Sequence, residues 1–212
     1  MGANMKNIVV LVSGGGTNLQ ALIDAQTRGE IIGGRIAQVI SSNPEAYALT
    51  RAEQAGISTA VVNVKDFSDR REFDRQILAA LREADADLIV LAGFLYILGK
   101  ELIAAYENRI INVHPALIPS FCGEGFYGLR VHQAALDYGV KLTGATVHFV
   151  NEQADAGAII LQKAVEIKNG DTPEVLQKRV MEQAEWNILP RAVSLFCQDK
   201  IIIKDGKAVV LE

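Results

Sequence analysis

Apolar, β-branched runs recur along the chain as "NIVVLVS", "RIAQVISS", "STAVVNV", "DLIVLAG", "RIINVH", "ATVHFV" and "AIILQKAVEI". Several are near-continuously hydrophobic rather than alternating, which predicts strands covered on both faces. Between the early runs lie helical patterns, "TNLQALIDAQTRG", "EAYALTRAEQAG" and "DRREFDRQILAALREADA", with Gly29 and Gly56 placed to end the first two. Strand alternating with helix predicts an α/β fold with a doubly wound, mostly parallel sheet and right-handed crossovers. The order then changes. "ATVHFV" and "AIILQKAVEI" are separated by a short loop, which predicts an antiparallel addition toward the C-terminal part. A long helical stretch, "TPEVLQKRVMEQAEWNILPRAVSLFCQ", follows, with Pro173 in its first turn and a break or kink expected near Pro190. The terminal "KIIIKDGKAVVLE" reads as a hairpin around Asp205-Gly206. No repeat or linker divides residues 1–212, so a single domain is expected.

Composition changes this picture only by exclusion. Half of the 212 residues are hydrophobic and 22% are charged, as in a globular chain. The formal net charge is −4 and the basic residues are scattered among acids, which argues against a nucleic-acid surface and requires any anionic ligand to be met locally. Cys122 and Cys197 form no C-x-x-C pair, which suits a reducing compartment. The first apolar run is too short to span a membrane, so the expected location is the cytoplasm and the expected partners are small molecules. A homo-oligomer stays open.

Ser13, Gly14, Gly15, Gly16, Thr17 and Asn18 join the first strand to the first helix. Glycines let backbone N–H groups close on an anion, and the helix amino end adds free donors and a favourable dipole. Leu19 stands where a dinucleotide fingerprint requires glycine, and the second strand ends in Ser41, Ser42 and Asn43 rather than a ribose-binding acid. No G-K-[ST] follows, so a Walker loop fails too. Three consecutive glycines exceed what a helix cap by Thr17 or Asn18 requires. The loop therefore reads as a site for one phosphate.

In "RIINVHPALIPS", Asn112 and His114 lie two residues apart on a strand and share a face. Pro115 ends regular pairing, which puts both at the carboxyl end, where open α/β sheets bind ligands. His148 reads as a strand residue satisfied locally, and His132 as a residue on the exposed or boundary side of a helix. A working imidazole needs a partner, normally a carboxylate. Asp155, in the loop "NEQADAGAII", is the candidate and Glu152 its rival. Nothing near Cys122 lowers its pKa, so it reads as a free thiol rather than a nucleophile, and no metal-ligand spacing appears.

Taken together, "VLVSGGGTNLQALI", "LAGFLYIL", "INVHPALIPSF", "GATVHFVNEQADAGAIILQ" and "MEQAEWNILP", in that order and spacing, resemble the phosphoribosylglycinamide formyltransferases, or glycinamide ribonucleotide transformylases, from about Met5 to the end. The resemblance implies a Rossmann-like formyltransferase fold. It implies a folate-dependent enzyme of purine biosynthesis that moves the formyl group of 10-formyltetrahydrofolate, its co-substrate, to the amine of glycinamide ribonucleotide, with no metal. By that likeness Asn112 and His114 stabilise the tetrahedral oxyanion, His114 delivers a proton to the departing folate nitrogen, and Asp155 raises the His114 pKa and helps deprotonate the amine. Gly16, Thr17 and Asn18 would hold the phosphate and Glu185 the ribose. The backbone of Leu95, Tyr96, Ile97 and Leu98 would pair with the pterin edge beside Asn112. Arg70, or the adjacent Arg71, would meet the folate tail. Many members carry an arginine where this chain has Tyr96. A methionyl-tRNA formyltransferase is disfavoured by the acidic charge. A formyltetrahydrofolate hydrolase, with water as acceptor, is the nearest alternative. A noncatalytic phosphate- or nucleotide-binding module would leave Asn112, His114 and Asp155 unexplained.

Overall fold

In the computed structural model, which describes residues 5–211, the apolar runs pair into one seven-stranded sheet. The elements are β1 (Lys6–Val12), α1 (Thr17–Thr27), β2 (Gly34–Ser41), α2 (Tyr47–Gln54), β3 (Ser58–Val61), α3 (Arg70–Glu83), β4 (Leu88–Leu91), α4 (Lys100–Ala105) and β5 (Ile110–His114). They continue with α5 (Leu129–Tyr138), β6 (Leu142–Phe149), β7 (Ile159–Glu166), α6 (Pro173–Val180), α7 (Trp186–Cys197) and the hairpin β8 (Ile201–Lys204) and β9 (Lys207–Val210). The sheet order is β3-β2-β1-β4-β5-β6-β7. β1 to β5 run parallel, and β6 and β7 are antiparallel additions, as the short loop between them predicts.

Double coverage explains the apolar runs. Ile8, Val10 and Val12 of β1 face a core built with Leu19 and Leu22 of α1 and Leu189 and Val193 of α7. Val9 and Leu11 face a second core with Phe73, Ile77 and Leu81 of α3 and Leu102 of α4. Burying each such side chain contributes about 1.5–3 kcal/mol. The central strands are thus held from both sides, and every residue of β4 is buried.

The chain reverses its direction of travel across the sheet between β1 and β4. β1 leads outward through α1 to β2, whereas β4 leads through α4 to β5 on the other side. Loops at the carboxyl ends of such neighbouring strands part and leave a crevice. The loops after β1 and β4 and the end of β5 meet there.

One helical expectation is corrected and one helix is added. The irregularity in the last long helical stretch is a π turn at Met181–Glu185, and Pro190 lies inside α7. A π turn carries an extra residue, which absorbs the mismatch that the proline ring imposes on preceding carbonyls. The six-residue α4 was not evident in the periodicity, being under two turns long. Among the described residues, no helix is long and apolar enough to cross a membrane.

Candidate active site

β5 places Asn112 and His114 on one face at its carboxyl end, and β6 sets His148 directly across from Asn112. Asp155, in the β6–β7 loop, adopts a left-handed backbone with φ 52°, a conformation aspartate tolerates better than most residues. Its Oδ2 lies 3.5 Å from His114 Nδ1, and its Oδ1 lies 3.6 Å from His148 Nε2. The Gly123 N–H donates to Oδ2 at 2.9 Å. Glu152, the rival carboxylate, is instead an exposed partner of Lys100 at 2.7 Å.

His114 donates from Nε2 to the Phe121 carbonyl at 2.8 Å, so both of its ring nitrogens face acceptors. That arrangement favours the charged ring. Burial nevertheless pushes the imidazole below its ordinary range, against the pull of Asp155 and the Phe121 carbonyl. Asp155 does raise the His114 pKa, as expected, but desolvation of the charged form is the larger effect and the net shift is downward. Burial likewise pushes the Asp155 carboxyl up, but contacts with His148, His114 and the Gly123 N–H together hold it below the ordinary carboxylate range. Phe121, at φ 49°, belongs to the loop that brings its carbonyl and the Gly123 N–H to this pair. Cys122 lies between them, its thiol pushed up by burial and by Asp155, which keeps it protonated.

Two histidines depart from expectation. His132 is fully buried on the inner face of α5, with neither ring nitrogen hydrogen-bonded, and burial followed by the nearby His114 pushes its pKa down to about 4. His148 satisfies Nδ1 locally, on the Phe149 carbonyl, but its other nitrogen reaches Asn112 and Asp155. Only the cross-strand register brings it there, and no spacing in the sequence encodes that pairing.

The glycine loop wraps the amino end of α1. Gly16 is required twice over, by φ 71° and because a Cβ would lie 2.6 Å from the Ala48 Cβ. Gly14 and Gly15 have open space around them, so packing does not demand glycine there. No side chain caps α1, which excludes Thr17 and Asn18 as caps. The N–H groups of Thr17, Asn18 and Leu19 therefore point out of the helix end without helical acceptors. The Asn18 amide is committed elsewhere, donating to Glu185 Oε2 at 2.7 Å. Glu185 closes the π turn, is buried, and is pushed up to about 6 by that burial despite the Asn18 bond. The Asn18 backbone N–H, unpaired within the helix, can face an anion.

Beyond β4, a cleft of about 380 Å³ is lined by Val64, Phe67, Arg70, Phe73, Leu95 and Tyr96, among others. Tyr96 packs against Phe73 and Phe94 at centroid distances of 5.5 and 5.8 Å. The Arg70 guanidinium donates to the Ile97 carbonyl, whereas Arg71 does not line the cleft. The Leu95 N–H donates to Ser13 Oγ at 3.1 Å, and Ser13 is paired in turn with Ser42 at 2.7 Å. Leu95 and Ile97 thus each have one backbone group already engaged, so the segment from Leu95 to Leu98 does not present a wholly free edge. Among the described residues no three His, Cys, Asp or Glu side chains are grouped as a metal site.

The formyl transferase family model matches residues 6–193. A phosphoribosylglycinamide formyltransferase of Haemophilus influenzae is 43% identical over 204 residues, covering 96% of this chain and 93% of that protein. The trifunctional purine biosynthetic protein adenosine-3 of Gallus gallus is 44% identical over 203 residues, covering 96% of this chain. The chain spans about a fifth (20%) of that relative's length. The crystal structure of glycinamide ribonucleotide transformylase 1 from Symbiobacterium toebii superposes with a TM-score of 0.93 at 39% identity, over 100% of this chain and 96% of that one.

Proposed function

The chain belongs to the formyl transferase family, and on that premise we propose that it transfers the formyl group of 10-formyltetrahydrofolate to the amine of glycinamide ribonucleotide. The observation that carries this reading is the grouping of Asn112, His114 and Asp155 at the end of β5, with the His114–Asp155 gap at 3.5 Å, near the glycine loop at the head of α1 and an aromatic cleft. In this reading the ribonucleotide phosphate sits on the backbone N–H groups of Gly16, Thr17 and Asn18, and Glu185 meets the ribose. The flat pterin enters the cleft beside Leu95, Tyr96, Ile97 and Leu98, with Arg70 the cation for the anionic tail. The fit is supported by the cleft's apolar walls and its single lining arginine.

The amine lone pair attacks the formyl carbon, and the carbonyl oxygen takes the negative charge. The Asn112 amide N–H and the His114 ring stabilise that oxyanion, an effect worth about a hundredfold to a thousandfold in rate per donor. Asp155 draws the proton lost by the amine, and His114 supplies one to the folate nitrogen as its bond to carbon breaks. We read residues 1–212 as one formyltransferase domain acting in the cytoplasm, on small molecules alone.

The test is formyl transfer from 10-formyltetrahydrofolate to glycinamide ribonucleotide by wild type and His114→Ala, with an amine-free control. Transfer by wild type, reduced at least about a hundredfold in the variant, is the expected result. Folate consumption without the amine would identify a hydrolase instead, and no turnover would favour a binding module.

A further inference from the structure

We propose that His148 is a positioning residue for this transfer: its Nε2 selects which end of the Asn112 amide faces it, and so directs the second N–H of that amide at the formyl oxygen. The inference rests on the functional reading above and deepens it.

The chain of constraint begins in the backbone. His148 Nδ1 lies 2.8 Å from the Phe149 carbonyl oxygen, which only accepts, so Nδ1 carries the hydrogen. In the neutral ring Nε2 is then a bare lone pair. Among the described residues the donor within reach of Nε2 is Asn112 Nδ2, at 3.3 Å. An asparagine can present either a carbonyl oxygen or an NH2 group, and a lone pair accepts only the NH2. One hydrogen of that nitrogen is used on His148, and among the described residues the other meets no protein acceptor. Asn112 is otherwise free to turn over, because the two ends of an amide have nearly the same shape.

Strand pairing makes the contact reproducible. Asn112 and His148 are cross-strand partners in the β5–β6 ladder, and the β6–β7 ladder shifts register between Val147 and His148. The titratable groups facing His148 are Asp155, whose Oδ1 stands 3.6 Å from Nε2, and His114 on the other side of that carboxylate. The Asp155 contact is longer than a hydrogen bond, whereas the Asn112 contact is not. A proton on His148 Nε2 would instead demand the Asn112 carbonyl and turn the amide's N–H groups away.

Two near-isosteric substitutions separate the roles of the two ring nitrogens. Asparagine reaches about the position of Nδ1 and keeps the Phe149 contact, while glutamine reaches about the position of Nε2 and can offer Asn112 an acceptor. His148→Gln should keep kcat within a few-fold of wild type. His148→Asn should lose about tenfold to a hundredfold in kcat, with KM for both substrates nearly unchanged. Equal losses in the two variants, or a loss carried by KM, would overturn the proposal. Nitrogen-15 NMR of the wild-type imidazoles reads the tautomer without substrate. A protonated Nδ1 with a bare Nε2 on His148 is expected, and a protonated Nε2 would sink the idea even if both variants failed to fold. A wild type that transfers no formyl group would overturn the functional reading, while the spectrum would still decide how Asn112 is oriented.

Discussion

Glu185 and Asp155 are both shielded carboxylates in the site, and their surroundings push them opposite ways. Asp155 has two imidazoles and an N–H around it, so its charge is favoured, whereas Glu185 has burial and one amide. The folded value of Glu185, about 6, lies above its ordinary 4.5, so its ionisation works against the fold as pH rises through that interval. Glu185→Gln should therefore match wild type in stability at pH 4 and exceed it by about 2 kcal/mol at pH 8, while raising KM for the ribonucleotide. Urea unfolding at the two pH values, with KM measured alongside, checks this. Equal stability at pH 8 would mean that the carboxylate is solvated or paired in solution. The pairing of Asn112 with His114 was legible because two residues on a strand share a face. The distances that make Asp155, not Glu152, the partner were not, because a loop carboxylate three positions from another can point anywhere until the loop is folded.

At the scale of elements, α5 carries a conflict that its apolar pattern conceals. "LRVHQAAL" buries Val131, His132 and Ala135 together, so the imidazole enters the core with its neighbours and finds no partner. Its pKa of about 4, below the ordinary 6.5, means that the unfolded chain binds the proton more readily. Stability should then fall as pH drops from 6.5 toward 4, by about 3 kcal/mol from this residue. His132→Leu should flatten that slope in denaturant titrations across the same range, and an unchanged slope would assign the acid sensitivity elsewhere. The strands were readable from their near-continuous hydrophobicity. The π turn was not, since it is a local response to Pro190, Glu185 and the core packed around them, and the periodicity of the stretch is helical on either side.

For the whole molecule, the sheet order matters more than any one element. β1, β4 and β5 are neighbours, so the glycine loop, the aromatic cleft and the Asn112–His114 pair open at the same edge although they are scattered between residues 13 and 114 of the chain. A ligand held there binds only the folded protein. Glycinamide ribonucleotide at a hundred times its Kd should raise the unfolding free energy by about 2.7 kcal/mol, read as a concentration-dependent rise in Tm. An unmoved Tm would mean that the loop does not hold this phosphate. By itself the sequence determined the α/β class, the parallel core with its antiparallel addition, the glycine turn between β1 and α1 and the shared face of Asn112 and His114. Each follows from periodicity, glycine chemistry or spacing within a few residues. Tertiary structure alone decided that burial outweighs Asp155 at His114, that Asn18 is tied to Glu185, that Leu95 is engaged by Ser13, and that His148 stands across from Asn112. Those facts depend on solvent exclusion and on strand register, which arise only when segments far apart in the chain are brought into contact.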